Sequence, residues 1–273
     1  AQRLRPAVEA FQRGDADGFK VAYSMIAKQE EGLPAMEVFW SKLLLDSGRM
    51  AEALSTTESY ARQNLEDPDV YILFGRMALM SNRWTDASLQ LQHAQQLIDA
   101  GKLNPARRRH VEVPLMELRA QAAERRGQWK LAEEMYSKAL KAKPDLAQYN
   151  WAIGKVRVFA GDIDQGHQMM SAAREKQPEL PEAALSVAQI LAETSPWRSD
   201  SEAAKVVEHW FQKAIEQDDS NPQVNAIYFN WLLSSERADE LATRYQNMSE
   251  SLQQERSIQF LRSIAARYLN DLQ

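Results

Sequence analysis

The sequence predicts an all-α chain built as an array of helix hairpins. The first observation is that its 273 residues include only ten glycines and ten prolines. The second is that alanine and leucine together outnumber valine, isoleucine and threonine by more than two to one, a balance that favours helices over sheets. The third is a self-similarity with a period near 34 residues. Low glycine content also argues against the glycine-rich loops with which nucleotide-binding folds approach a phosphate.

Composition and charge exclude several classes of protein. With 44% hydrophobic and 26% charged residues, the chain is globular rather than disordered. A formal net charge of −5 gives it no general attraction to nucleic acid or to anionic membranes. No uncharged apolar run reaches the roughly 18 residues of a membrane-spanning helix. The absence of cysteine excludes disulfides and thiolate metal sites, but it leaves the compartment open.

Seven repeats can be placed in register along the chain, which we predict to form one continuous domain, residues 1–273. Because the chain begins with Ala1 rather than Met, we expect a processed form or an excised segment. The repeats are predicted at residues 1–33, 34–67, 68–112, 113–146, 147–180, 181–221 and 222–250, with a cap at 251–273.

Two columns of the repeat indicate the hairpin. The eighth position is small in six of seven repeats, as close helix crossing requires: Ala7, Ser41, Gly75, Ala120, Gly154 and Ala188, with Phe229 the exception. The fifteenth position holds residues that tolerate a left-handed backbone after a helix: Gly14, Gly48, Asn82, Gly127 and Gly161. Proline opens or closes several repeats, which is typical of helix boundaries.

This pattern resembles the tetratricopeptide repeat family, whose unit is a 34-residue helix–turn–helix. The resemblance covers nearly the whole chain and is strongest over residues 113–180. It implies a right-handed α-solenoid of about seven hairpins, in which the first helices of successive repeats line a concave groove. The chaperone-tail subtype, which places lysine at the fifth position and asparagine at the sixth and ninth, is absent here.

Two insertions and a terminal segment depart from the repeat. Eleven extra residues, centred on 98–113, are predicted to extend a second helix and lengthen the loop after it. Seven more, around 194–200, are predicted to separate the helices of one hairpin, with Trp197 tucked over a neighbouring helix. The residues after 249 have apolar side chains at helical spacing and are predicted to cap the last repeat.

No common catalytic constellation is found in the sequence. The phosphate-binding, dinucleotide-binding, nucleophile-elbow and zinc-protease motifs are all missing. The four histidines fall in different repeats, so we expect four independent side chains rather than a metal site. The adjacent acids Glu133–Glu134 and Asp218–Asp219 are interpreted as solvated charge. We therefore predict no catalytic residues, no metal, no cofactor and no enzyme activity.

The resemblance places candidate binding residues on the first helix of each repeat. The ninth position holds cations or amides and no acid, as Lys42, Arg76, Gln121, Lys155, Gln189 and Asn230. Such groups can hold the carbonyls or carboxylates of an extended peptide, with Trp151 at a fifth position as an apolar anchor. The alternative is that these are ordinary solvated residues.

A basic patch is the second candidate. Residues 102–130 carry eight lysines or arginines against three glutamates, and Arg107, Arg108 and Arg109 lie in the first insertion. They form either a docking patch for an acidic partner, phosphate or lipid headgroup, or a solvated basic loop.

The leading functional hypothesis is a non-catalytic scaffold that binds a protein or peptide in the groove. One alternative is an accessory region of a larger enzyme or membrane-associated assembly. The other is an RNA-binding helical repeat, which the acidic total charge disfavours, so no nucleic acid partner is expected. Self-association is a further expectation, because a solenoid leaves apolar faces at its ends.

Overall fold

The computed structural model describes residues 2–271, so Ala1 of the first predicted repeat and residues 272 and 273 of the predicted cap lie outside it. Within this range the chain forms sixteen α-helices, a 3-10 helix at Gln2–Leu4 and no strand, which confirms the all-α prediction. Backbone contacts divide the chain into two compact units, with the division between Asp145 and Leu146. The continuous single domain expected from the repeats stays a prediction.

The first unit contains four helix hairpins. Their helices are α1 (Arg5–Gln12) with α2 (Ala16–Ala27), α3 (Met36–Asp46) with α4 (Met50–Ala61), α5 (Pro68–Met80) with α6 (Trp84–Asp99), and α7 (Pro105–Arg125) with α8 (Trp129–Ala142). Each helix packs against its hairpin partner, and α3, α5 and α7 are neighbours in that order.

The second unit contains three hairpins and a terminal pair of helices. The hairpins are α9 (Ala147–Phe159) with α10 (Ile163–Lys176), α11 (Ala183–Thr194) with α12 (Ser201–Gln217), and α13 (Pro222–Ser234) with α14 (Ala238–Gln246). The predicted cap consists of two helices, α15 (Glu250–Gln253) and α16 (Arg256–Asp271). The longer of them packs on both helices of the last hairpin and buries Ile258, Leu261 and Ala265.

Short polar side chains start several of these helices. Asp15 accepts a hydrogen bond from the backbone N–H of Gly18 at 2.8 Å, and Asn104 accepts one from Arg107 at 2.7 Å. These bonds satisfy backbone donors that the first turn of a helix leaves without partners. The same arrangement begins α5, α11, α12 and α13, at Asp67, Glu182, Asp200 and Asn221.

The repeat columns predicted from the sequence have the expected conformations. All seven residues of the eighth column are buried, Phe229 included. All five glycine or asparagine residues of the fifteenth column have a positive φ, between 57° and 95°. The structure adds Glu236, at the fifteenth position of the last hairpin, with φ 60°. The turn of this hairpin therefore keeps the left-handed backbone conformation although glutamate disfavours it.

The first insertion differs from its prediction. The extra residues lengthen the first helix of the fourth hairpin instead of a loop, since α7 begins at Pro105, eight residues before the predicted repeat start at 113. The N-terminal part of α7 packs against the loop between α2 and α3, where a Cβ on Gly32 would lie 2.6 Å from the carbonyl carbon of Ala106. Because Gly32 also has φ 90°, only glycine fits there without strain.

The second insertion forms the loop between α11 and α12, as predicted. Trp197 is buried, its indole Nε1 donates to the carbonyl of Ala192 at 2.8 Å, and its ring centroid lies 6.0 Å from that of Trp231. The predicted tucked position is therefore confirmed.

Candidate functional site

The first helix of each hairpin carries the candidate groove residues, and burial separates their columns. At the fifth position Val38, Ile72 and Leu185 are buried, and at the twelfth position Leu45 and Val158 are buried. Their apolar side chains therefore pack inside the hairpin array and offer no open anchor. The ninth column differs, because all six of its residues are exposed or half-buried.

In the first unit the ninth column lies on the neighbouring helices α3, α5 and α7. Lys42 and Gln121 are exposed. Arg76 is half-buried, and its Nη2 lies 2.6 Å from the carboxylate of Asp46 on α3. This arginine links two first helices, so part of its charge is neutralised before any partner arrives.

In the second unit Gln189 on α11 and Asn230 on α13 are exposed. Lys155 on α9 is half-buried and takes part in an interaction within the chain. Trp151 is half-buried against the core of this unit, and its Nε1 donates to the carbonyl of Pro181 at 3.3 Å. Its indole is therefore held in one orientation, with part of the ring accessible.

The patch at Arg107, Arg108 and Arg109 does not exist as one basic surface. The Arg107 side chain is only 11% exposed, is paired directly with Asp69, and lies 3.6 Å from Asp67. Arg108 is paired with Glu112 one turn along α7, at 2.6 Å. Of these three arginines, only Arg109 is exposed with no ion pair to another residue in the range 2–271. The three residues lie on a helix rather than in the loop that one interpretation assumed, and a helix points its successive side chains in different directions.

Arg107 is the centre of a buried polar cluster at the N-terminus of α5. Desolvation raises the pKa of Asp69 to about 6, and the adjacent Arg107 guanidinium opposes that rise. Tyr60 donates to Asp67 at 3.0 Å, and burial raises the pKa of this tyrosine above its ordinary value. The cluster joins the start of α7 to the second and third hairpins, so its role is structural.

Two of the four histidines, His167 and His209, contact the same tryptophan. The rings of His167 and His209 lie 4.7 and 5.7 Å from the ring of buried Trp210, and the Lys213 ammonium lies 4.4 Å from the same ring. Desolvation by burial, followed by the nearby Lys213 charge, lowers the pKa of His167. Sequence spacing gave no signal for the contact between His167 on α10 and Trp210 on α12.

Across residues 2–271 the side chains form no group of three or more histidine or acidic residues able to hold a metal ion. Over the same range, no helix has the length and apolar character needed to cross a bilayer.

Comparison with known proteins identifies the fold. No family model and no curated protein sequence matches the chain. Among solved structures, a tetratricopeptide repeat protein from Parabacteroides merdae superposes with a TM-score of 0.55 and 11% identity, covering 97% of this chain and 100% of its own. This match shows that the chain has the tetratricopeptide repeat fold.

Two further solved structures match smaller parts of the chain. YrrB, a tetratricopeptide repeat protein with an unusual peptide-binding site, has a TM-score of 0.49 at 15% identity, covering 72% of this chain and 93% of its own. TTC0263, a thermophilic tetratricopeptide repeat protein of Thermus thermophilus, has a TM-score of 0.46 at 17% identity, covering 70% and 97%.

Proposed function

We propose that this tetratricopeptide repeat chain is a non-catalytic scaffold that binds an extended segment of a partner protein along the first helices of its hairpins. The observation that carries the proposal is a difference in burial between the ninth position of the first helices and their fifth and twelfth positions. All six residues of the ninth position stay accessible and none is an acid, whereas five of the twelve residues at the fifth and twelfth positions of the same helices are buried.

The chemistry of the ninth column suits a peptide backbone. The side-chain amides of Gln121, Gln189 and Asn230 each offer donors and an acceptor, so they can bond both the N–H and the C=O groups of an extended chain. Lys42 adds an exposed ammonium, which can bind a carbonyl or a carboxylate. Hydrogen bonds of this kind recognise the backbone of the bound peptide and not its side chains. Any preference for a particular peptide sequence must therefore come from other contacts.

Trp151 is the candidate for such a contact in the second unit. A half-buried indole supplies a large apolar contact area, and the bond to Pro181 has already fixed its orientation. An anchor that is ordered before binding loses less conformational entropy when the partner arrives. We therefore expect an apolar residue of the partner to pack on the accessible part of this ring.

The test uses the exposed members of the column, since reversing Arg76 would also break its pair with Asp46. The partner is first captured from the source organism, identified and purified. Its binding is then measured by calorimetry to the wild type, to the Lys42→Glu, Gln121→Glu double variant and to the Gln189→Glu, Asn230→Glu double variant. We expect each double variant to weaken binding about tenfold or more, about 1.4 kcal/mol, with unchanged melting.

A matched control places the same new charges on second helices, as Ser59→Glu on α4 and Gln168→Glu on α10, both exposed. This control should bind like the wild type. If the control and the groove variants bind equally well, the partner does not use the first helices and the proposal is wrong.

A further inference from the structure

The second half of α7 and the residue directly after it, Arg126, present three arginines to the neighbouring helix α6. Arg119 donates to the side-chain oxygen of Gln95 at 3.0 Å, and Arg126 donates to the hydroxyl of Ser88 at 2.9 Å. The guanidinium carbon of Arg125 lies 5.4 Å from the ring centroid of Trp84. All three contacts are with neutral groups, so the positive charges remain uncompensated.

Three other cations of the basic stretch have acidic partners, whereas Arg109 lies apart, near the start of α7. Lys102 lies 2.7 Å from a carboxylate oxygen of Glu66, and Arg107 and Arg108 also have carboxylate partners. Within the described residues, no carboxylate oxygen lies within ion-pair distance of Arg119, Arg125 or Arg126. The uncompensated positive charge of residues 102–130 is therefore concentrated at the C-terminal end of α7.

Charge near these arginines is reinforced from α8. Lys130, on the first turn of that helix, is exposed and has no ion pair within the described range. Glu134 on α8 also feels the charge of Arg119, but its hydrogen bond of 2.7 Å goes to Lys138, which is the larger cause of its lowered pKa. The charge of this acid is therefore directed mainly to Lys138 rather than to the arginines.

Geometry makes these arginines suitable for carboxylates. Arg119 and Arg126 are seven residues apart on one helix, which separates their backbones by about 10 Å. Each guanidinium has five N–H donors, and one bond to Gln95 or Ser88 leaves most of them available. The neutral partners hold the side chains in place, so less rotamer entropy is lost when a carboxylate binds.

We propose that Arg119, Arg125 and Arg126, together with Trp84, form a docking surface for an acidic segment of a partner protein, here named the α7 arginine surface. Carboxylates three residues apart in a polyproline II-like chain lie on one side of it, about 9 Å apart, which matches the separation of the outer arginines. The surface goes beyond the proposed groove, since it shares no residue with the ninth column.

A protein segment fits better than a polyanion. The chain carries a net charge of −5, which repels the dense and continuous charge of nucleic acid or of an anionic membrane. A short acidic segment meets only the local field of three arginines. The indole of Trp84 also supplies apolar contact, which a phosphate backbone does not use.

The test measures binding of a fluorescent peptide with glutamate at every third position to the whole chain, by fluorescence anisotropy. The variant is Arg119→Gln, Arg125→Gln, Arg126→Gln. We expect the wild type to bind the peptide, to bind its glutamine counterpart at least tenfold more weakly, and to lose affinity as salt rises from about 50 to about 200 mM. The variant should lose at least tenfold.

The matched control removes the same charge from exposed cations of the same unit that have no ion pair in the described part of the chain, as Arg13→Gln, Lys28→Gln, Arg62→Gln. It should bind the glutamate peptide like the wild type. Equal losses in the control and the variant would show a net-charge effect and overturn the proposal, as would absence of peptide binding to the wild type. If the triple variant does not fold, Arg126→Gln alone should still weaken binding about threefold.

Three other measurements test alternative ligands of the α7 arginine surface. Single-stranded RNA and anionic lipid vesicles are offered to the wild type and the variant, and the oligomeric state of both is measured by light scattering. Binding of RNA or vesicles that exceeds peptide binding and disappears in the variant would overturn the protein-segment proposal. A dimer that the variant dissociates would assign the surface to a second copy of this chain and would overturn it as well.

Discussion

Gly154 on α9 and Gly166 on α10 face each other where these two helices cross. A Cβ on Gly154 would lie 2.6 Å from the carbonyl oxygen of Gly166, and a Cβ on Gly166 would lie 2.5 Å from that of Gly154. The neighbouring atoms are backbone, so neither helix can yield by rotating a side chain. Both glycines are required by distance rather than by backbone conformation.

The first prediction is that Gly166→Ala lowers the free energy of unfolding by about 1–3 kcal/mol, because overpacking against backbone outweighs the gain of about 1 kcal/mol in helix propensity. Chemical denaturation measures the change. Gln168→Ala, exposed on the same helix, should stay within about 0.5 kcal/mol of the wild type. Equal stability of the two variants would contradict the close crossing.

The second prediction concerns adjacent arginines with opposite environments. Arg107→Ala should lower stability by about 3 kcal/mol, because it leaves Asp69 buried without its cation. Arg108→Ala removes a surface pair one turn apart and should cost about 0.5 kcal/mol or less.

Thermal melting of the two variants checks this prediction. Adding Asp69→Asn to Arg107→Ala should recover part of the loss, since it removes the unpaired buried charge. If the Arg107→Ala and Arg108→Ala variants have the same melting temperature, the buried cluster does not stabilise the packing of α7 against the third hairpin.

The third prediction is a stabilising substitution. Glu236 is exposed at φ 60°, a conformation that costs a residue with a side chain about 1 kcal/mol and costs glycine little. Glu236→Gly should therefore raise the unfolding midpoint by about 2–4 °C. Gly161→Ala, at the same repeat position with φ 95°, should lower it. A lowered midpoint for both variants would disprove the strain argument.

The fourth prediction is a pH dependence. Burial against Trp210 and the charge of Lys213 lower the pKa of His167, while Asp164 and Glu182 oppose them and His209 lies on the same indole. The unfolded chain then binds the proton more readily than the folded chain does. The contribution of His167 is complete above the ordinary histidine pKa, near 6.5, and is lost as the pH falls below it.

Melting curves between about pH 7.5 and about pH 5.5 test this prediction. The wild type should lose more stability over this range than His167→Gln. The control His110→Gln, exposed on α7, should follow the wild type. Parallel curves for wild type and His167→Gln would rule out this histidine as the cause.

Local rules made the hairpins predictable from the sequence. A small residue at the eighth position and a glycine or asparagine at the fifteenth each satisfy a requirement within one hairpin, so the pattern is visible in one repeat and confirmed by its recurrence. The resemblance to the repeat family also implied that the ninth column lies on the accessible side of the first helices. It did not show that half of the fifth-position residues are buried, because burial depends on how one hairpin packs against the next.

The sequence by itself determined the helix hairpins, their turns and the basic character of residues 102–130. Only the tertiary structure decided where the basic charge acts. Three successive arginines in the sequence became a buried pair, a surface pair and one exposed side chain, because α7 extends to Pro105. Arg119, Arg125 and Arg126 instead lie along α6, with no carboxylate oxygen of residues 2–271 within ion-pair distance. Charge is a property of composition, whereas its compensation depends on which helices meet.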